Sequence, residues 1–401
     1  MSERPRGSRG DGTPGPSTRA VHGGERQHRD THAVTTPIHQ TSTFWFEDSQ
    51  AVIDYNEGRN ARDEYGRYGN PTWRAVERKL CELEGGAESV LFASGMCAAT
   101  TTFLALLPRD AHLVVTSDCY RRTRQFIRQY LVRLGVETTV VEPADTQKLA
   151  AALRDDTALF FTESPTNPYL RCIDIERAVE VAHARDVKVV IDATFASPIN
   201  LRPLEYGADL VLHSATKYLG GHNDLLAGTV TGAADVISPI RDAVGVLGGV
   251  IDSHAAWLLL RGLKTLSLRM QRHNSNGLAV AEWLEAHPKV RRVFYPGLAS
   301  HPDHEVARRT LQGFSGVVTF ELECDLDGAR RFVDALEIPY QAPSLGGVES
   351  LVELPVTMSY WDVPPAERQA MGITDSLVRY SCGIEDPGDL LRDIETALAH
   401  V

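Results

Sequence analysis

The sequence has no run of about 18 apolar residues, the length a membrane-spanning helix needs. It has no C-x-x-C pair among its six cysteines and no excess of positive charge. The N-terminus shows neither the apolar block nor the cleavage site of a signal peptide, so a cytoplasmic chain with no membrane contact is expected. Cys81, Cys97, Cys119, Cys172, Cys324 and Cys382 are scattered through apolar or helical stretches, which fits reduced thiols rather than a disulfide frame. A formal net charge of -12, with both signs interspersed, argues against a general nucleic-acid binder. Metal ligands do not gather either. His28 and His32 have helical ligand spacing but no third ligand in register, and read as a solvated pair. Gly10, Gly12 and Gly15 have G-x-G-x-x-G spacing, yet no strand precedes them and Pro14 interrupts the helix that should follow.

What is present is a 401-residue chain, 43% hydrophobic and 23% charged, longer than one average domain. Residues 1–17, "MSERPRGSRGDGTPGPS", hold little that could enter a core and are expected to form a disordered tail. Residues 18–70 precede the first regular helix and read as an arm. At Asn70 the pattern turns regular: an N-cap, Pro71 at the first helical position, the amphipathic run "TWRAVERKLCELE", and Gly85 as a stop. Strand-like runs "SVLFA", "HLVVT", "TTVVE", "ALFFT", "VKVVID" and "DLVLHS" then alternate with helical patterns. Apolar strands spaced by helices predict a mostly parallel sheet covered on both faces, an α/β large domain over 71–260. From 261 to 401 the strands "GVVTFELE" and "LVRYSCGIE" and two helices predict a smaller α+β domain.

Ligands of open α/β sheets bind outside the carboxyl ends of the strands. "VKVVID" ends at Asp192, which alone could be a turn aspartate. "VLFASGMCAA" passes through Ser94, Gly95 and Met96 into a helix, an ordinary turn or a phosphate cradle. Lys217 follows "DLVLH" between Ser214 and Thr216 and the Gly220-Gly221 pair. Alone it reads as a solvated lysine; with hydroxyl neighbours it is also a candidate amine for carbonyl attack. Together the three suit pyridoxal phosphate, which asks for an amine at its aldehyde, donors at its phosphate and a carboxylate at its pyridinium nitrogen.

The chain resembles the cystathionine-synthesising and cystathionine-cleaving pyridoxal phosphate enzymes of cysteine and methionine metabolism. The resemblance covers nearly everything after the tail and is carried by "EYGRYGNPT", "ASGMCA", "DCYRRTR", "ESPTNPYLRC", "IDATFASP", "HSATKYLGGHND", "SLGGVESL" and "VRYSCGIED". "EYGRYGNPT", "APSLGG" and "MSYWD" look most like the plant members that make cystathionine. The resemblance implies an aspartate aminotransferase-like fold, fold type I, with Lys217 bound to the cofactor and later moving substrate protons. It implies that Asp192 holds the pyridinium nitrogen, whose charge should keep this carboxyl well below its ordinary range. Gly95, Met96, Ser214 and Thr216 would hold the phosphate, Tyr120 would stack on the ring, and Thr194 and Asn167 would lie beside it. Arg379 would clamp the substrate carboxylate, and Ser344 would position Lys217. Tyr65 and Arg67, facing one way on an extended segment, would reach a neighbouring subunit's phosphate, which implies a homodimeric catalytic unit and a homotetramer. Independently of the resemblance, Arg121, Arg122 and Arg124 follow Tyr120 closely and could supply donors beside a departing phosphate, with Arg122 in the substrate site, or form a solvated basic helix start.

In one respect the sequence departs from many bacterial relatives: Pro343 stands where they carry an acid before S-L-G-G, which leaves open how a second substrate's amino group is held. The activity implied is γ-replacement on an O-activated homoserine, with phosphate, acetyl or succinyl as leaving group and cysteine as the thiol. γ-Elimination and replacement by another nucleophile are the alternatives. A non-catalytic binding relative would be expected to lack Lys217, Asp192 or Arg379, and all three are present.

Overall fold

The structure, a computed structural model, describes residues 14–25, 33–143 and 145–401. His28, His32 and positions 1–13 of the expected tail lie outside the described residues. A helix, Pro16–His22, begins inside that expected tail, with Pro16 at its first turn and Ala20 buried. It is held rather than loose: the Lys79 ammonium donates to the carbonyls of Ala20, at 2.8 Å, and Val21, at 3.2 Å. Lys79 also meets the Glu25 carboxylate at 2.9 Å, with both side chains 0% exposed.

Seven strands make the large sheet: β1 (Glu88–Phe92), β2 (His112–Thr116), β3 (Glu137–Val141), β4 (Thr157–Glu163), β5 (Lys188–Asp192), β6 (Leu210–His213) and β7 (Gly228–Gly232). Their order is β1-β7-β6-β5-β4-β2-β3. The strands from β6 to β3 are parallel, whereas β7 runs antiparallel to both β1 and β6. The glycine-bracketed "GTVTG" gives little strand signal on its own; pairing on both sides makes it one. Alternate residues of the central strands enter opposite cores, Val190 and Leu212 with Phe103 and Phe161 on one face, Ile191 and Val211 with Ala178 on the other. That double burial is why these strands read as continuous apolar runs.

The second sheet holds β8 (Val290–Phe294), β9 (Val317–Leu322), β10 (Tyr340–Gln341), β11 (Leu351–Glu353) and β12 (Leu377–Ser381) in the order β10-β11-β12-β9-β8. It is antiparallel apart from β10 with β11. The helix Ser253–Leu263 spans the boundary drawn at 260/261, because Ala256, Leu259, Leu260 and Leu263 form one continuous buried face. The helix Leu266–Glu285 carries that core onward, with Val280 and Leu284 packed in the same cluster as Phe320 and Phe332. Among the described residues no helix is long and apolar enough to cross a membrane.

Candidate active site

Lys217 stands on a short turn just after β6. Its amide donates to the Ser214 carbonyl at 3.1 Å, and its own carbonyl accepts from the Gly221 amide at 2.8 Å. Burial pushes the Lys217 amine down to about 8; nearby Arg379 adds to the shift and Glu353 opposes it. The amine donates to the Ser344 hydroxyl at 2.5 Å. Ser344 sits at φ +107°, a backbone strain of the kind that collects at functional sites. Its carbonyl accepts from Arg379 Nη2 at 3.0 Å, and Arg379 Nη1 donates to Asn167 Oδ1 at 3.0 Å. Arg379 on β12 and Glu353 on β11 are directly opposite, and this buried pair closes to 3.1 Å. The Ser359 hydroxyl lies against both Glu353 oxygens, at 2.8 and 3.0 Å. The amine, the guanidinium and the amide of Asn167 thus form one continuous network.

A second network starts at Asp192, the last residue of β5. Thr194 donates to Asp192 Oδ1 from its amide at 3.0 Å and from its hydroxyl at 2.5 Å, and the same hydroxyl accepts from the Ser214 amide at 2.8 Å. Burial pushes the Asp192 carboxyl up, and the Thr194 bonds offset only part of that. The lowered value expected beside a pyridinium is therefore not a property of the chain alone. Glu163 pairs with Asp192 in register at the end of β4. It too is pushed well up, first by burial and then by the charge of Asp192, and it accepts a short hydrogen bond from the Tyr120 amide.

Against Ser214 lies a helix N-terminus. Ser94 caps the helix Gly95–Leu106, accepting from the Cys97 amide at 3.1 Å. A Cβ on Gly95 would stand 2.6 Å from that of Ser214, so only glycine lets the leading amides, which have no intrahelical acceptor, sit against Ser214. The Thr216 hydroxyl is already engaged, donating to the Ala227 carbonyl at 3.2 Å and accepting from its amide at 3.0 Å. A phosphate bond donated by Thr216 would have to replace the one to the carbonyl.

The structure does not bring every expected residue into these networks. Tyr65 and Arg67 interact with the arm itself: Arg67 Nη2 donates to the Tyr68 hydroxyl at 3.2 Å and the guanidinium packs on both tyrosine rings. Tyr120 is exposed at the start of the helix Arg121–Gln129. Of the three arginines after it, Arg121 pairs with Asp362, and Arg124 donates to the Ser117 carbonyl. Arg122 donates to the neutral Gln125. Sequence reasoning missed Glu163 and Glu353. Glu163 carries the same signal as Asp192, an acid at a strand end, but the apolar run "ALFFT" stops at Thr162, one residue short of the strand's end. A cavity of about 970 Å³ is lined in part by Asn167 and Tyr360 and not by Lys217, so this cavity alone would misplace the site.

Comparison with known proteins is consistent across nearly the whole chain. The family described as Cys/Met metabolism PLP-dependent enzyme matches residues 17–399. The chain is 52% identical over 381 residues to cystathionine gamma-synthase 1, chloroplastic, of Arabidopsis thaliana, covering 94% of this chain and 68% of that one. It is 42% identical to cystathionine beta-lyase of Coxiella burnetii, covering 95% and 97%. The solved structure of metB from Corynebacterium glutamicum superposes with a TM-score of 0.90 at 38% identity, covering 96% and 98%.

Proposed function

This chain belongs to the Cys/Met metabolism PLP-dependent enzymes, and we propose that its reaction is γ-replacement on an O-activated L-homoserine by L-cysteine, giving L-cystathionine. It has the aspartate aminotransferase-like, fold type I architecture of such enzymes. The residues fit pyridoxal phosphate: a buried amine of lowered pKa, a buried carboxyl of raised pKa that a cationic ring nitrogen would bring down, and a glycine-walled nest of amides beside a serine. Bound there, the cofactor supplies an aldehyde for amines and a ring that withdraws electrons from the substrate's α carbon.

The observation that carries the reading is the hydrogen-bonded path from Lys217 through Ser344 to Arg379. Arg379 takes the substrate α-carboxylate in a bidentate grip, with Asn167 and Glu353 fixing the plane of its guanidinium. Lys217, handed off by Ser344, then lies within reach of the α carbon and removes and returns protons at Cα and Cβ. Tyr120 and Thr194 would flank the cofactor ring, and Asp192 would hold its nitrogen. The γ C-O bond breaks, the sulfur of cysteine forms the new C-S bond, and the thiol proton leaves with the displaced group. Synthesis is favoured over cleavage by the greater identity to the named synthase than to the named lyase. The test is to offer the purified protein O-phospho-, O-acetyl- and O-succinyl-homoserine with and without cysteine. Cystathionine should form when both are present; a 2-oxo acid as the main product even with cysteine would contradict the reading. Arg122, paired with no carboxylate among the described residues, suits a phosphate leaving group, so Arg122→Ala should reduce use of the phospho ester more than of the acyl esters.

A pH dependence follows from the Lys217 amine. Attack on an aldehyde needs the neutral form, so cofactor uptake by the apo-protein should rise with pH and level off above about 8. Stopped-flow absorbance measures it; a rise continuing toward the ordinary lysine value of 10.5 would show that the amine is not buried as described.

The catalytic unit is a homodimer in this reading, paired again into a homotetramer, with Tyr65 and Arg67 completing a neighbour's phosphate site. Trp45, Tyr65 and Tyr68 of the arm are exposed in the single chain, apolar surface that a second copy would cover. Refolding Lys217→Ala chains with Arg67→Ala chains should restore about a quarter of wild-type activity, since half the dimers are mixed and each has one intact site. No restoration would mean that Arg67 acts within its own chain.

A further inference from the structure

Arg269, on the helix Leu266–Glu285, is a buried cation without a carboxylate partner among the described residues, 4% exposed. Burial alone pushes its pKa down to about 10. Its hydrogen bonds go to the turn after Lys217, to the end of the preceding helix and to the cap of its own helix. Nη1 donates to the Tyr218 carbonyl at 2.6 Å, and Nη2 donates to the Gly262 carbonyl at 2.8 Å and the Leu219 carbonyl at 3.4 Å. Nε donates to the Thr265 hydroxyl at 3.1 Å. Two of those carbonyls belong to the two residues that follow Lys217.

The second glycine of "KYLGG" is explained by the same group. Gly221 lies at φ +72°, and a Cβ there would run into the guanidinium. A Cβ on Gly262 would run into the Gly220 carbonyl oxygen and press on the Leu219 carbonyl at 3.1 Å. Glycine at 221 therefore leaves room for the cation, and glycine at 262 lets its helix approach the turn whose carbonyls that cation meets. An unneutralised buried charge is costly to fold around. What it holds in return is the turn on which the lysine stands, since the Lys217 carbonyl is tied to Gly221 within that turn.

We propose that Arg269 is a positioning residue for Lys217: by gathering the Tyr218 and Leu219 carbonyls, its guanidinium fixes where the amine meets the cofactor and the substrate. A displacement of about 1 Å at a reacting group is enough to cost rate. The inference rests on Lys217 being the cofactor lysine.

The test compares wild type, Arg269→Met and Arg269→Lys, each as apo-protein and holoenzyme. Borohydride reduction of the wild type with peptide mapping checks the premise: a pyridoxyl mass on the Lys217 peptide upholds it, and a mass on another lysine removes it whatever Arg269 does. Loss of cofactor to a carbonyl scavenger, followed by absorbance, should be at least about tenfold faster in Arg269→Met, the scale of one charge-assisted hydrogen-bond set. The gap between holo and apo melting temperatures should shrink, and kcat should fall with KM for the homoserine ester within about twofold. Arg269→Lys, whose ammonium cannot span all three carbonyls, should lie between. Equal falls in the holo and apo melting temperatures with an unchanged rate of cofactor loss would overturn the proposal, leaving Arg269 a purely structural cation. Should Arg269→Met not fold, a wild-type rate of cofactor loss in Arg269→Lys would overturn it equally.

Discussion

Lys217→Ala should lower kcat/KM for cystathionine formation by at least about 10⁴, because one amine is asked to capture the cofactor and to carry protons at two substrate carbons, and each proton-transfer role is itself worth a factor of about 10² to 10⁴. The fold should survive. In the cofactor-free chain the amine makes one hydrogen bond, to Ser344, and it is already desolvated, so truncation removes a buried polar group rather than a structural support. Circular dichroism and melting of the apo-protein should therefore stay near wild type while activity disappears. Ser344→Ala, which removes the partner but not the amine, should cost far less, about tenfold. A Lys217→Ala enzyme within about tenfold of wild type would rule the lysine out as the base.

The largest stability effect should come from a residue far from the chemistry. Lys79 and Glu25 are both fully buried, and Lys264 reaches the other Glu25 oxygen at 3.1 Å. Removing one partner of a buried pair leaves an uncompensated charge, at a cost of about 3 to 5 kcal/mol. Lys79→Met also deprives the Ala20 and Val21 carbonyls of their donor, so the expected loss lies in that range even with Lys264 still beside Glu25. Urea unfolding of the apo-protein should show a lowered midpoint with little change in slope. Adding Glu25→Gln to Lys79→Met should recover part of the loss, since the buried carboxylate, left with Lys264 as its one cation among the described residues, is then gone. A loss below about 1 kcal/mol would show that the pair is solvated, as surface pairs are.

Asp192 and Lys217 were legible in the sequence because each lies at or just past the end of an apolar strand, and strand ends are local patterns. The same locality explains the helix beginning at Asn70, where the cap, the proline and the terminal Gly85 all act within one segment. Glu353 was not legible, since an acid inside "SLVEL" looks like a solvent-facing strand position until Arg379 is found opposite it on β12. The bond from Arg379 to Asn167 joins residues 212 apart in sequence, a separation that periodicity cannot report. The helix Pro16–His22 was hidden for a related reason. Its composition is that of a tail, and its order comes from Lys79, 59 residues from the Ala20 carbonyl it holds. Thr216 shows the limit of motif reading: its position is as expected, but its hydroxyl is bonded to Ala227.

The central claim, γ-replacement through proton removal at two carbons by Lys217, is tested most directly by running the reaction in heavy water and reading the mass of the product. Cystathionine formed by the wild type should carry solvent deuterium at both Cα and Cβ of the homoserine-derived half, and Lys217→Ala should form no such labelled product. Cystathionine made at the wild-type rate without deuterium at either carbon would mean direct displacement at Cγ, and would contradict the account.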